Sequence, residues 1–198
     1  YDNCHVQVND PIKIVYTGKL YCNRWKTLEY LAKAISIVNK NEKKFFLEIY
    51  TQSEYKKRYA KWLDNKTDSE IKGKIPASEV SEKYKSADIA LHVESFDLKN
   101  RLLTRYSFST KIIDCMATGC AVMAICHPSQ NALQYLSKKD AGIVIASKEQ
   151  IVPVLEKIYL DKNILLEYGK KAITCGIENH QREKIQQNLL NDFQEVLG

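Results

Sequence analysis

A glycine turn and several basic side chains follow the first apolar run of the chain. The run 12–16 is followed by the turn Thr17-Gly18. Lys19, Arg24 and Lys26 come next, around the start of a segment of helical period. Glycine lets a ligand approach the backbone closely, and cations near a helix start attract phosphate groups. The same pattern also describes an ordinary turn with exposed cations. It lacks the GxGxxG spacing of dinucleotide-binding enzymes, which argues against an NAD-dependent dehydrogenase.

A second candidate phosphate site is the start of a predicted helix over 108–118. Ser109 or Thr110 suits the N-cap position, where free amides and hydroxyls bind phosphate readily. Lys111 adds a positive charge, and Asp114 follows one turn later. The carboxylate of Asp114 could accept hydrogen bonds from a ribose diol, or it could simply be an acid favoured by the helix dipole.

Two further loops follow predicted strands. Glu94 comes directly after the strongest apolar run, where its carboxylate could bind sugar hydroxyls or orient Arg101 or Arg105. The other loop is a turn whose backbone groups could hydrogen-bond the edge of a nucleobase, and it reads Lys72-Gly73-Lys74-Ile75-Pro76. Each of these features, taken alone, is also typical of an ordinary loop.

Alternating strands and helices position these residues. Short apolar runs bounded by turn residues predict strands at 12–16, 45–50, 70–75, 88–93, 121–126 and 142–146. Helical spacing predicts helices at 26–40, 52–63, 79–86, 108–118 and 131–138, and the chain is nearly all helix from 148 on, with a break near Cys175-Gly176. This alternation predicts one α/β domain over residues 1–198: a doubly wound, Rossmann-like parallel sheet of six strands with C-terminal helices. Ligands should bind in the loops at the carboxyl ends of the strands, after Tyr16, Ile75, Val93 and Cys126.

Composition and charge limit the classes of function that this chain can have. The chain has 198 residues, a net charge of +6, 44% hydrophobic and 27% charged residues, as in globular proteins. No apolar run reaches the roughly 20 residues that a membrane span needs. The first residues, from Tyr1 to His5, have neither the basic nor the apolar part of a signal peptide. The net positive charge suits an anionic ligand or an anionic membrane surface. Because the basic residues are spread along the chain and form no single block, we expect no nucleic-acid partner.

The cysteines and histidines show no spacing typical of a metal site. None of the six cysteines forms a CxxC pair, and Cys115, Cys120 and Cys126 lie in apolar stretches where a thiol acts as a small hydrophobe. We therefore expect no metal, no cofactor and a reducing, cytoplasmic compartment. Peripheral association of a full-length protein with the inner face of the membrane remains open.

The order and spacing of these motifs, from residue 12 to about 146, resemble the C-terminal domain of retaining glycosyltransferases of the GT-B fold, in particular the family 4 group. The family's Gly-Arg-Leu turn and later Lys-Gly correspond to Gly18-Lys19-Leu20 and Lys26-Thr27. Its Gly-x-Ile/Val-Pro turn corresponds to residues 73–76. The most specific match is the motif Glu-Ala-Met-Ala-x-Gly-x-Pro-Val, which here reads Asp114-Cys115-Met116-Ala117-Thr118-Gly119-Cys120-Ala121-Val122.

This resemblance implies glycosyl transfer from a UDP- or GDP-sugar, with retention and without a metal. By the same resemblance, Lys19 and Lys26 contact the donor diphosphate and are the candidate catalytic cations. The full candidate set for the diphosphate is Gly18, Lys19, Arg24, Lys26, Ser109 and Thr110, and that for the base and ribose is Gly73, Lys74, Ile75, Pro76 and Asp114.

The chain departs from the family pattern at several positions. Tyr106 stands where the family has a glutamate that contacts the donor sugar, so Tyr106 or Glu94 is the candidate sugar contact. Lys19 replaces an arginine, which keeps the charge but loses the two-pronged hydrogen bond. Thr27 replaces a glycine, and Ala121 replaces a proline.

The resemblance also implies a separate N-terminal domain for the acceptor, without which this half should be inactive. Residues 180–197 would then form a helix that crosses to that domain, or else a surface helix packed on its own domain. Its apolar stripe is Ile185, Leu189, Phe193 and Val196. Two other functions stay open: a sugar-nucleotide epimerase-like relative, and a non-catalytic nucleotide-binding domain.

Overall fold

The computed structural model describes residues 7–197, where strands and helices alternate along the chain. The strands are β1 (Ile12–Thr17), β2 (Phe45–Tyr50), β3 (Ser69–Ile71), β4 (Ile89–Val93), β5 (Ala121–Ile125) and β6 (Ile143–Ile145). The helices are α1 (Arg24–Val38), α2 (Ser53–Leu63), α3 (Ala77–Lys85), α4 (Leu98–Thr104), α5 (Thr110–Met116), α6 (Asn131–Lys138), α7 (Ile151–Leu160), α8 (Asn163–His180) and α9 (Arg182–Leu197). A short 3-10 helix, Lys148–Gln150, precedes α7.

All six strands pair in parallel, in the order β3-β2-β1-β4-β5-β6. This confirms the predicted doubly wound, Rossmann-like sheet. The chain runs outward from β1 to β3, then returns to place β4 on the other side of β1. The loops after β1 and β4 therefore lead away from each other, and they open a crevice at the carboxyl edge of the sheet where such folds bind ligands.

The sheet is buried on both faces, as parallel sheets with covering helices must be. Successive residues of a strand point to opposite faces. Thus Ile14 belongs to a core cluster with Leu28 of α1 and Leu155 of α7, whereas its neighbour Val15 belongs to a second cluster with Ile112 of α5. Helices α1, α2 and α7 cover the first face, α3, α5 and α6 cover the second, and α8 contributes residues to both clusters.

The predicted element boundaries lie within two residues of the observed ones, except at the end of β3. β2 and α6 begin and end where the sequence predicts. The predicted strand 70–75 is shortened to Ser69–Ile71, because the chain leaves the sheet at Gly73, whose φ is +110°. The predicted helix 108–118 covers only Thr110–Met116. Helix α4 was not predicted, although Asp97 caps it by accepting a 3.0 Å hydrogen bond from the amide of Asn100.

The predicted break near Cys175-Gly176 is wrong, because α8 continues to His180 and ends before Gln181. Glycines in this helix serve packing rather than termination. A Cβ added to Gly169 would lie 2.4 Å from the carbonyl oxygen of Gly119, in the turn between α5 and β5. The missing side chain therefore lets α8 lie directly against that turn.

Helix α9 presents its apolar stripe to solvent within the described part of the chain. Ile185, Leu189 and Phe193 are 47%, 53% and 57% exposed. The side chain of Val196 and the whole of Cys4 lie outside the described residues. The other five cysteines carry free thiols, and Cys115, Cys120 and Cys126 are buried, as the sequence predicts. None of the helices within residues 7–197 is both long and apolar enough to cross a membrane.

Two glycines of α8 give opposite predictions for the same substitution. Gly169→Ala should lower the free energy of unfolding by about 1–3 kcal/mol, because the new methyl meets the backbone of Gly119. Gly176→Ala places its Cβ 3.4 Å from the Cβ of Met116, an ordinary contact, and should raise stability by up to about 1 kcal/mol through helix propensity. Urea denaturation of the two variants measures both values. Equal effects in the two variants would contradict close packing at Gly169.

Candidate functional site

Two neighbouring clefts open along the carboxyl edge of the sheet. The first, about 320 Å³, lies over β1, β2 and the loop after β3, and is lined by Thr17, Gly18, Lys19, Tyr50, Thr51, Gln52, Lys74, Ile75, Ala77, Val80 and Lys111. We call it the β2 cleft. The second, about 380 Å³, lies at the crevice between β1 and β4, and is lined by Gly18, Lys19, Tyr21, Arg24, His92, Val93, Glu94, Ser107, Phe108, Ser109, Thr110 and Lys111. We call it the β4 cleft.

Gly18, Lys19 and Lys111 line both clefts and so form the junction between them. The turn is held by its own hydrogen bonds. The amide of Gly18 donates to the carbonyl of Tyr50 at 2.9 Å, and the buried hydroxyl of Tyr16 donates to the carbonyl of Lys19 at 2.9 Å. Gly18 has a φ of +143°, a backbone conformation that side chains disfavour. The residue type is thus dictated by the turn.

The ammonium of Lys111 lies directly on this turn. Its Nζ donates to the carbonyl of Thr17 and lies 4.7 Å from the centre of the Tyr16 ring. A Cβ on Gly18 would come within 2.5 Å of this Nζ, so the glycine also makes room for the cation. Burial, helped by the positive charge of Arg24, lowers the pKa of Lys111 to about 8. The lysine is therefore charged at neutral pH and loses its charge just above it.

A buried ion pair joins the loop after β1 to the loop after β4. The guanidinium of Arg24 donates from Nε to Oε2 of Glu94 at 3.0 Å and from Nη2 to Oε1 at 2.5 Å. The two side chains are only 16% and 7% exposed. Burial opposes the charge, yet the hydrogen bond and negative charge of Glu94 raise the pKa of Arg24 above its ordinary value. Glu94 thus orients Arg24, not Arg101 or Arg105.

Neighbouring side chains fix the ion pair in place. Thr27 donates from its hydroxyl to the backbone carbonyl of Glu94 at 2.8 Å, which gives this buried threonine a structural role at the position where the family has glycine. The carboxylate of Asp97 accepts from the side chain of Asn23 at 3.1 Å, again linking the two loops. Desolvation would raise the pKa of Asp97, but hydrogen bonds from Asn100, Ser95 and Asn23 hold it below the ordinary value.

His92 lies in the wall of the β4 cleft and was not among the residues singled out from the sequence. It is 3% exposed, and its Nε2 has no hydrogen-bond partner within the described residues. The nearest carboxylate oxygen, Oε1 of Glu94, is 3.7 Å away. Burial, together with the charges of Lys111 and Arg24, lowers the pKa of His92 to about 3, so the imidazole is neutral at pH 7. A polar residue in an otherwise apolar strand was the signal in the sequence.

The structure brings many of the predicted site residues to these clefts and leaves others outside. Those lining a cleft are Gly18, Lys19, Arg24, Lys74, Ile75, Glu94, Ser109 and Thr110. Those outside the linings are Lys26, Gly73, Pro76, Tyr106 and Asp114. Ser109 stands at the N-cap of α5, but its side chain makes no capping hydrogen bond and is free for other contacts.

The residues outside the linings are mostly solvent-exposed. Lys26 is exposed, with its Nζ 5.7 Å from the ring centre of Trp25. Tyr106 is 76% exposed, and its hydroxyl accepts from Arg105. Asp114 is exposed on α5. Among residues 7–197, no three or more His, Cys, Asp or Glu side chains are grouped so as to hold a metal ion.

The fold and the motifs of this edge agree with a family model. The model described as "Glycosyl transferases group 1" matches residues 11–161. The chain belongs to this family. The match spans the sheet and both clefts, so the glycine turn and the ion pair lie within it. No curated protein matches the chain.

Solved structures of glycosyltransferases share the fold. The C-terminal domain of the group 1 protein LpcC from Francisella tularensis aligns with a TM-score of 0.63 at 15% identity, over 86% of this chain and 87% of that one. HepE from Anabaena, solved with UDP, aligns at 0.70 and 12% identity, over 93% of this chain and 49% of that one. TarM aligns at 0.71 and 14% identity, over 96% of this chain and 36% of that one. The chain therefore matches the C-terminal domain of a GT-B glycosyltransferase, and it spans less than half the length of TarM and HepE.

Removing the charge of Glu94 should destabilise the fold. Glu94→Gln leaves the largely buried cation of Arg24 without a counter-charge, so we expect a loss of about 3 kcal/mol in the free energy of unfolding. The control is Glu82→Gln, which breaks the Lys85–Glu82 pair, whose side chains are 39% and 71% exposed, and should cost less than about 1 kcal/mol. Chemical denaturation measures both. A loss at Glu94 no larger than the control would show that the pair does not stabilise the crevice.

Proposed function

We propose that this chain is the donor-binding half of a glycosyltransferase that uses a nucleotide-diphosphate sugar. The observation that carries the proposal is the pair of clefts joined at Gly18, Lys19 and Lys111. A nucleotide sugar has the same order of parts: a base with its ribose, an anionic diphosphate, and a neutral polar sugar. The cationic junction suits the diphosphate, and the clefts on either side suit the two ends.

The β2 cleft suits the nucleoside end. Its lining combines apolar side chains with a backbone turn, which is the usual make-up of a site that takes an aromatic base. Ile75 and Val80 line this cleft, and the amide of Thr51 donates to the carbonyl of Gly73 at 3.0 Å, which fixes the turn. The resemblance to the family adds Pro76 to the base contacts and Asp114 to the ribose.

The junction suits the diphosphate. Lys19 is exposed and Lys111 lies on the turn, and Arg24, whose charge is largely balanced by Glu94, lines the β4 cleft beside them. Ser109 and Thr110 at the start of α5 can add hydroxyl and amide donors. Cations placed around a departing nucleoside diphosphate stabilise its developing charge without a metal, which is the role proposed for Lys19 and, by the family resemblance, for Lys26. Retention at the anomeric carbon is part of the same proposal.

The proposed donor is a UDP- or GDP-sugar. Support comes from structures of similar fold solved with a nucleotide, such as HepE with UDP and the pneumococcal O-GlcNAc transferase GtfA with UDP and GlcNAc. The acceptor site would lie on an N-terminal domain. Support for a two-domain protein comes from the length of the relatives and from the exposed stripe of α9, which suits packing against another domain. A cytoplasmic location remains part of the proposal.

Nucleotide titrations test the proposal directly. By calorimetry, the chain should bind at least one of UDP, GDP and ADP. Lys111→Met should weaken that binding by about 10- to 150-fold, since one lost charged hydrogen bond is worth about 1.5–3 kcal/mol. Lys170→Met, on the exposed side of α8 and outside both clefts, is the matched control and should change nothing. The effect of Lys26→Met decides whether that exposed cation contributes. Absence of binding to every nucleotide would refute the proposed donor site.

The affinity for the bound nucleoside diphosphate should fall between pH 7 and pH 9. Lys111 carries its charge below its pKa of about 8 and loses it above, so its attraction for the diphosphate is present at pH 7 and fades as the pH rises. One pH unit above the pKa, about a tenth of the lysine is charged, which limits the loss to about tenfold. Titrations in Lys111→Arg, which stays charged, should show a flat profile over this range. An equal fall in Lys111→Arg would assign the pH dependence to another group.

A further inference from the structure

His92 is the most unusual polar group in the β4 cleft. It belongs to β4, the strand beside the switch point of the sheet, and it is 3% exposed among otherwise apolar neighbours on that strand. Its Nε2 is buried and has no hydrogen-bond partner within the described residues. Buried polar atoms are nearly always hydrogen-bonded, and an unpaired one costs free energy. His92 lines the β4 cleft, so a ligand that enters this cleft and displaces the atoms covering Nε2 can supply the missing partner.

The surroundings of His92 limit what that partner can be. Arg24 and Glu94 bind each other through two hydrogen bonds, at 3.0 and 2.5 Å, so their charges nearly cancel. Lys111, the other cation that acts on His92, donates its hydrogen bond to the carbonyl of Thr17. The Nε2 atom lies 3.7 Å from Oε1 of Glu94, too far for a hydrogen bond. The imidazole is neutral at pH 7, because burial and the nearby cations disfavour its charged form. A neutral ring beside a neutralised pair suits a neutral polar group better than an anion.

The position of His92 also separates it from the nucleoside. It lines only the β4 cleft, whereas the junction cations line both clefts. If the base lies in the β2 cleft and the diphosphate at the junction, then the β4 cleft holds the part of the ligand on the far side of the diphosphate. In a nucleotide sugar that part is the glycosyl group. Its hydroxyls both donate and accept, so they match either tautomer of a neutral imidazole.

We propose that His92 determines donor specificity by hydrogen-bonding a hydroxyl of the glycosyl group through Nε2. The inference rests on the proposed function, since it needs the nucleotide sugar to lie across both clefts. Glu94 then acts mainly by holding Arg24, and His92 supplies the direct sugar contact in this cleft.

The experiment compares each nucleoside diphosphate with its sugar conjugates on the same chain. Calorimetric titrations use UDP against UDP-glucose, UDP-galactose and UDP-N-acetylglucosamine, and GDP against GDP-mannose. His92→Leu should weaken binding of the best nucleotide sugar by about three- to tenfold, the value of one hydrogen bond, and should leave the affinity for the bare diphosphate unchanged. His92→Gln, which keeps a hydrogen-bonding group near the place of Nε2, should retain more of the difference.

Controls separate a sugar contact from a structural role. His92→Leu removes a buried polar atom that has no partner in the described part of the chain and adds apolar volume, so its melting temperature should equal or exceed that of the wild type. His127→Gln, just after the neighbouring strand β5, is the matched control: its ring hydrogen-bonds Ser129 at 2.9 Å outside both clefts, and its loss should alter no affinity. The side-chain 15N shift of His92 should move with a nucleotide sugar and much less with the bare diphosphate.

The outcomes are distinct. Wild-type chain that binds no nucleotide refutes the proposed function, and the inference with it. If His92→Leu binds UDP or GDP and every nucleotide sugar as tightly as the wild type does, the role of His92 is overturned, but the proposed function stands. Equal losses for the bare diphosphate and for its sugar conjugates also overturn it, since they would place His92 on the phosphate or on the fold.

Discussion

The buried ion pair between Arg24 and Glu94 is the interaction on which the site depends. It connects the loop after β1 with the loop after β4, the two loops that the strand order drives apart. A crevice between diverging loops has no regular backbone hydrogen bonding across it, so side chains must hold its walls. The bidentate pair does so, and Thr27 and the Asn23–Asp97 hydrogen bond add to it. Because both charges are largely taken up by each other, the pair shapes the cleft without making it strongly anionic or cationic.

The cationic character of the site is instead concentrated at the glycine turn. Gly18 provides a backbone with positive φ and leaves room for the ammonium of Lys111, which binds the carbonyl of Thr17. One small residue thus satisfies two requirements, the turn after β1 and the position of a cation that arrives from α5. This places charge between an apolar cleft and a polar one, an arrangement suited to a ligand with an anionic middle. This arrangement is consistent with the membership of the chain in the glycosyl transferases group 1 family.

Much of the fold could be predicted from local patterns, and much of the site could not. Six apolar runs separated by helical segments were enough to predict the parallel sheet, because burial on both faces demands such runs. The failures have tertiary causes. Gly176 suggested a helix end, yet α8 continues because its glycines allow close packing on α5 and on the turn after it. The sequence offered both Lys26 and Arg24 as cations for the diphosphate, and the family resemblance favoured Lys26 as the catalytic one. Only the structure shows that Arg24 lines the cleft while Lys26 is exposed.

By itself, the sequence determined the fold class, the family motifs and the edge of the sheet at which polar loops collect. These follow from periodicity and from spacing along the chain, which are local properties. Tertiary structure decided which side chains meet. Lys111 donates to the carbonyl of Thr17, which lies 94 positions earlier in the sequence, and Glu94 pairs with Arg24, which lies 70 positions earlier. That Nε2 of His92 has no hydrogen-bond partner among residues 7–197 is likewise visible only in three dimensions, because whether a buried nitrogen finds a partner depends on every element packed around it and not on its place in a strand.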